Sequence, residues 1–331
     1  MIDNPVSATI DFDADGIQHG FLSLPHSRDD SAWGSIMTPV TQMKNGTGPT
    51  ALLTGGNHGD EYEGPIALYD FCRRASIDDL RGRVIIVPAM NYPAFQAGRR
   101  LSPVDGLNLN RCFPGNPAGT ATEILADYFT RTLVPMADAV LDIHSGGRTL
   151  DFLPFAAIHR LDDKPQEELN EGYMKAFGAP YQLKMLDIDA QRMYDTQVES
   201  QGKVFVTTEL GGAGTTSPRS VAIAKRGVTN FLKYAGILAG DLEAPGTDPV
   251  ALDMPDSRSF LIARHTGLLE PLVELGDDVV AGEPVARVHA IERTAGETVE
   301  YQAPRDGIVL SRHVPSLIQM GDCMNVIAER V

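Results

Sequence analysis

Four apolar runs constrain this chain more than any other feature. They are "TALLTGGNH" (50–58), "RVIIVPAMN" (83–91), "AVLDIHSGG" (139–147) and "VFVTTELGG" (204–212). Each is short and rich in β-branched residues, the pattern of a strand buried on both faces. Helical patterns lie between or after them. "GPIALYDFCRRAS" (64–76) opens with Gly-Pro, which suits a helix first turn. "TATEILADYFTRTLVPMA" (120–137) and "PQEELNEGYMKAFG" (165–178) are amphipathic, and "SPRSVAIAKRGVTNFLKYAGIL" (217–238) starts at a Ser217–Pro218 cap. Strands alternating with helices imply an α/β domain with a mostly parallel sheet flanked by helices. Such sheets bind ligands at the carboxyl ends of their strands. Shorter β-like runs, "IQHGFLSL" (17–24) and "GSIMTPVTQM" (34–43), precede this pattern.

The helical period disappears after "EAPGTDPVALDMPDSR" (243–258), which reads as a linker. We therefore expect a catalytic domain over 1–248 and a small all-β domain over 249–331. In the latter, "GLLEPLVELGDDVVAGEPVARV" (267–288) and "DGIVLSRHVPSLIQMGDCMNVIAERV" (306–331) each place Gly-Asp before a final β run. The two related halves resemble a biotinyl/lipoyl-type sandwich. No lysine follows Lys233, so this region carries no lysine-linked cofactor, and a structural or lid role is expected.

The net charge of −16 argues against nucleic acid and anionic membranes as partners. It suits an acidic cytosolic enzyme or a protein adapted to high internal salt. No apolar run approaches the roughly 20 residues of a membrane span. The start is acidic and lacks the features of a signal peptide. Three widely spaced cysteines without a CxxC fit a reducing cytoplasm and argue against a cysteine zinc site.

Polar residues crowd onto the ends of the apolar runs. His-x-x-acid occurs at His26/Asp29, His58/Glu61 and His159/Asp162. His58 alone follows a strong strand, behind Gly55–Gly56, where backbone can approach a ligand closely. The competing reading is a helix-capping cluster with a hydrogen-bonded histidine. Catalytic zinc usually keeps three protein ligands and one open position, and His144 at the end of another strand supplies the third. Strand alternation places Asp142 on the face of His144, where it can orient the imidazole. Glu209 ends a fourth strand and is the candidate general base. "GRRLSPVDGLNLNRCFPG" (98–115) brings Arg99, Arg100 and Arg111 together with Asn108 and Asn110, a set suited to clamping a carboxylate.

These residues resemble the succinylglutamate desuccinylase/aspartoacylase family, part of the wider zinc carboxypeptidase group. The likeness rests on His58-x-x-Glu61, Asn110–Arg111 of "NLNRCFPG", His144 of "DIHSG" and Glu209 of "TELGG", in order along the chain. It implies a zinc carboxypeptidase-like fold holding one Zn2+ per chain on His58, Glu61 and His144. Glu209 would activate water and protonate the leaving amine. Arg100, with Arg99 as its rival, would polarise the scissile carbonyl, and Asn110 and Arg111 would bind the substrate carboxylate. The implied protein is a cytoplasmic homodimer that deacylates a small N-acyl amino acid. "SPVDGLNLNR" resembles the branch containing N-acetyl-diaminobutyrate deacetylases of ectoine breakdown. Alternatives are N-acetylaspartate or N-succinylglutamate as substrate, a peptide carboxypeptidase, or a binding protein without catalysis. For a substrate with a side-chain ammonium, Asp187, Asp189, Asp195 and Glu199 of "LDIDAQRMYDTQVESQG" (186–202) are candidate partners, against the reading of a solvated acidic loop.

Overall fold

The computed structural model describes residues 2–185 and 192–331. The chain opens with β1 (Ser7–Ala8), β2 (Gly16–Pro25) and β3 (Ser35–Asn45). Then follow β4 (Thr50–Gly55), α1 (Glu63–Arg74), β5 (Gly82–Val87), α2 (Tyr92–Ala97) and α3 (Ala121–Tyr128). A π-turn at Phe129–Leu133 carries α3 into the short α4 (Val134–Met136). Next come β6 (Ala139–His144), β7 (Leu150–Phe152), β8 (Phe155–His159), α5 (Lys164–Phe177), β9 (Tyr181–Met185), α6 (Tyr194–Glu199), β10 (Val204–Glu209) and α7 (Pro218–Tyr234).

The four apolar runs are β4, β5, β6 and β10. They lie side by side in the order β5-β4-β6-β10, and all three pairings are parallel. Their lack of polar alternation has a direct cause. Leu53, Val84, Ile86, Leu141 and Val206 face a core built with α1, α5 and α7. Leu52, Ile85, Val87, Val140 and Phe205 face a second core built with α3 and the N-terminal strands. Both faces are covered, so β4, β6 and β10 are apolar through their middles and turn polar toward their carboxyl ends. The helix signals hold as well. Ser217 caps α7 with a capping box, and Pro218 sits in its first turn. Among the described residues no helix is long and apolar enough to cross a membrane.

The remaining strands are β11 (Val250–Asp253), β12 (Phe260–Ile262), β13 (Gly267–Pro271), β14 (Asp278–Val279), β15 (Pro284–His289), β16 (Thr298–Gln302), β17 (Gly307–His313), β18 (Leu317–Ile318) and β19 (Cys323–Arg330). β16-β15-β13-β18 form an antiparallel sheet of their own. β11, β19, β17 and β14 instead extend the main sheet beyond β8 and β9. β11 pairs with β9 in parallel and with β19 in antiparallel, and β17 pairs with β7. Part of the stretch read as a linker is therefore a strand. Its Leu252 is 2% exposed, in a core shared with Phe155 and Leu183. His159, which opens one of the three His-x-x-acid pairs, is the buried last residue of β8.

This continuity makes the C-terminal strands part of what covers β9. Ending the chain at residue 248 should strip β11 from the β9 edge and bare the apolar faces of Phe155 and Leu183, leaving an open edge prone to aggregation. We expect loss of monodisperse protein on size-exclusion chromatography. A well-behaved fragment would show that the edge tolerates exposure.

Candidate active site

The parallel strands bring their carboxyl ends to one edge of the sheet, and that edge holds the polar residues. His144 and Glu209, the last residues of β6 and β10, are direct register partners. β4 ends at Gly55, and the following Gly56 has φ +60°, turning the chain so that His58 and Glu61 sit above β6 before α1 begins. The turn is tight. Gly59 donates its N–H to the Arg99 carbonyl at 2.9 Å, and a Cβ there would fall 2.0 Å from the Ala94 carbonyl carbon.

His58, Glu61 and His144 are all buried, and one donor atom from each lies within 4.8 Å of the others. His58 Nδ1 is 2.7 Å from Glu61 Oε1, and His144 Nδ1 is 2.8 Å from Glu61 Oε2. The far side of each ring fixes its tautomer. His144 Nε2 donates to Asp142 Oδ2 at 2.7 Å. His58 Nε2 donates to Asn108 Oδ1 at 3.2 Å, an oxygen identified by the backbone N–H of Asn110 that it also accepts at 3.0 Å. A neutral imidazole protonated on Nε2 carries a bare lone pair on Nδ1. With both rings neutral, two Nδ1 lone pairs and a carboxylate would converge, the donor set of a metal site.

The anchoring continues outward. Asp142 also accepts from Thr54 Oγ1 at 2.7 Å and Asn57 Nδ2 at 3.1 Å. Burial opposes its ionisation, but His144 and these donors hold it below the usual carboxylate range. Burial likewise opposes charge on Glu61, yet His58 and His144 hold its pKa well below normal. Burial also disfavours a charged His144, but Asp142 and Glu61 raise it well above an ordinary histidine. At His58 burial prevails and lowers the value.

A cavity of about 160 Å³ opens beside this cluster. Glu209 lines it with Oε2 buried and lacking a hydrogen-bond partner among the described residues. Burial first, and then the charge of Glu61, push its carboxyl up to about 8. Arg100 reaches the cavity with its side chain 45% exposed and Nη1 3.5 Å from Glu61 Oε1. Arg99 is exposed and does not line it, so of the two arginines only Arg100 faces the cluster. Asn110 and Arg111 also line it. Asn110 Oδ1 accepts the Tyr194 N–H at 2.9 Å, which leaves its NH₂ group to donate. Asn108 is placed differently from the carboxylate clamp expected of it, because its oxygen orients His58.

Of the four acids proposed for an ammonium, Asp187 and Asp189 lie outside the described residues. Asp195 lines the cavity, whereas Glu199 sits 3.2 Å from His159 Nδ1. Sequence reasoning missed the apolar wall of Phe155, Met185, Met193 and Phe205. The alternation of Phe205, Thr207 and Glu209 along one strand was the available signal for part of it.

The succinylglutamate desuccinylase/aspartoacylase catalytic-domain model matches residues 47–235, more than half of the chain and all of the cluster just described. The chain belongs to this family. It is 57% identical over 328 residues, 99% of its length and 96% of the relative's, to the N-alpha-acetyl-L-2,4-diaminobutyric acid deacetylase of Halomonas elongata. A product-bound structure of the ectoine utilization protein EutE (DoeB) of Ruegeria pomeroyi is 56% identical and superposes with a TM-score of 0.97, covering 99% of this chain and 100% of that one. A structure described as a succinylglutamate desuccinylase from a Silicibacter species is 54% identical with a TM-score of 0.96, covering all of both chains. Within the succinylglutamate desuccinylase/aspartoacylase family, this member is an amidohydrolase with a mixed α/β catalytic sheet and a C-terminal antiparallel sheet.

The closeness of Gly59 to α2 gives a direct check on how tightly the turn between His58 and Glu61 is held. Gly59→Ala should force the turn away from Ala94. We expect a loss of about 1–3 kcal/mol by denaturant unfolding, together with reduced hydrolytic activity. Unchanged stability would mean that the turn can relax freely.

Proposed function

We propose that this protein is a zinc-dependent deacetylase converting N-alpha-acetyl-L-2,4-diaminobutyrate and water into L-2,4-diaminobutyrate and acetate, a step of ectoine degradation. The observation that carries the zinc reading is the convergence of His58, His144 and the buried Glu61 carboxylate, one ligand atom of each within 4.8 Å of the others. Close likeness to the Halomonas elongata deacetylase supports the substrate.

His58, Glu61 and His144 would hold the ion, which when bound supplies Lewis-acid chemistry at the amide carbonyl. Glu209 accepts a proton from the water whose oxygen bonds to the acetyl carbon. As the C–N bond breaks, Glu209 returns that proton to the departing amine. Burial raises this carboxyl, which favours the second transfer. The first needs the ionised form, which a cation held by Glu61 and the two imidazoles would favour. Arg100 sets its positive charge where negative charge builds on the carbonyl oxygen. Arg111 and the Asn110 amide bind the α-carboxylate, for which a guanidinium fork is well matched. The division of labour we propose is catalysis by residues 1–248 and restriction of access by residues 249–331. Every described residue lining the cavity falls at or before Glu209. We further propose, from the family likeness, a homodimer in a reducing cytoplasm, where three unpaired cysteines are unremarkable.

The test uses purified protein with zinc measured per chain. Released amine is followed for N-acetyl-diaminobutyrate, N-acetylaspartate and N-succinylglutamate. We expect one zinc, activity abolished by chelation and restored by added zinc, and preference for the first substrate. Full turnover by verified metal-free protein would sink the zinc reading. Preference for either acidic substrate would overturn the substrate.

Glu209→Gln removes the proton carrier while keeping the shape of the side chain. It should retain zinc and lower kcat by roughly 10²–10⁴-fold. Near-normal kcat at full zinc content would remove Glu209 from the reaction.

A further inference from the structure

We infer that Asp195 is the residue that selects the substrate by its side-chain ammonium. The inference rests on the proposed diaminobutyrate reading and assigns the part of the substrate left without a partner there. The substrate carries an α-carboxylate, a neutral amide and an ammonium two methylenes from Cα. Arg111 and Asn110 meet the first, and Arg100 and the cluster meet the second. An ammonium entering a buried cavity must exchange its water for an anion.

Among the described residues the acids lining the cavity are Asp142, Asp195 and Glu209. Asp142 is engaged with His144, Thr54 and Asn57. Glu209 carries the reacting proton. Asp195 remains, and it is 5% exposed. Its Oδ1 accepts from the Thr196 backbone N–H at 2.5 Å and the Thr196 hydroxyl at 3.2 Å. For Oδ2, the nearest basic side-chain nitrogen among the described residues is His159 Nε2 at 3.8 Å, beyond hydrogen-bond reach. That oxygen can therefore take a new donor. The neighbouring lining residues Met185, Met193, Phe155 and Phe205 are apolar, a match for the two methylenes.

Asp195 is also tied to the other end of the substrate. It follows Tyr194, whose N–H is held by Asn110 Oδ1 at 2.9 Å. One hydrogen bond thus sets the spacing between the carboxylate clamp and the ammonium partner. A side chain ending in carboxylate would meet like charge, and one ending in methyl would leave Asp195 buried without its partner.

The experiment compares kcat/KM for N-acetyl-2,4-diaminobutyrate, N-acetyl-2-aminobutyrate (the same carbon chain without the ammonium) and N-acetylaspartate. The proteins are zinc-loaded wild type, Asp195→Asn and Asp195→Glu. Wild type should prefer the ammonium substrate over the methyl analogue by about tenfold or more, the scale of a charged hydrogen bond. Asp195→Asn should lose most of that preference through KM for the ammonium substrate, while the methyl analogue changes little. Asp195→Glu keeps the charge and should recover part of the preference, which covers the case in which Asn disturbs folding. Equal losses on both neutral-ended and ammonium-ended substrates, or a Glu variant no better than Asn, would overturn the role of Asp195 and leave the deacetylase reading intact. A wild type indifferent to the ammonium would overturn both.

Discussion

The Glu61 carboxylate, gripped by two imidazoles in a place almost free of solvent, is what the rest of this structure serves. A charge buried so deeply is tolerated only when its partners are held in place. Here they are held by neighbours at several removes: Asn108 and Asp142 fix the ring tautomers, and Thr54 and Asn57 fix Asp142. Thr54 is in β4, Asp142 and His144 are in β6, and Glu209 is in β10. The parallel register of three strands is therefore the frame on which the chemistry is hung. A one-residue slip would turn His144 or Glu209 to the opposite face.

The cluster was legible in the sequence because its members stand where apolar runs stop. Side chains covered on both faces of a sheet are mostly apolar, so a cluster of polar residues closing an apolar run marks the carboxyl end of a strand, where such sheets bind ligands. His58, His144 and Glu209 announce themselves in this way. The strands β8, β9 and β11 were harder to see. β8 and β9 are five residues each and lie next to charged stretches, and β11 sits between prolines that signal a loop. Their identity comes from partners distant in the chain, and no local pattern carries it. The contact of Asn108 with His58 was hidden for a related reason. An asparagine in a loop advertises hydrogen bonding but not its partner, and His58 lies 50 residues away.

The charge of the whole molecule and the charge of its site are separate matters. At −16 overall, the surface repels anions at long range, an effect that salt screens within about 10 Å. Arg100 and Arg111 hold positive charge locally at the cavity, where screening is weaker. A zwitterionic substrate, with no net charge, escapes the long-range repulsion and meets each arginine or carboxylate only at close quarters. This arrangement suits a protein working in concentrated electrolyte, where short-range pairing persists after long-range fields are damped.

The continuation of the main sheet through β11 into β19 and β17 has a bearing on synthesis. β7 is made early, but its partner β17 spans 307–313. β11 borders β19, formed by residues 323–330. A growing chain therefore displays the outer edges of β7 and β11 until those late residues have left the ribosome, however quickly the inner parallel strands close. By topology, this half closes only once residues 307–330 are available. The interval before closure is when unpaired edges and apolar faces are open to chaperones or to neighbouring nascent chains.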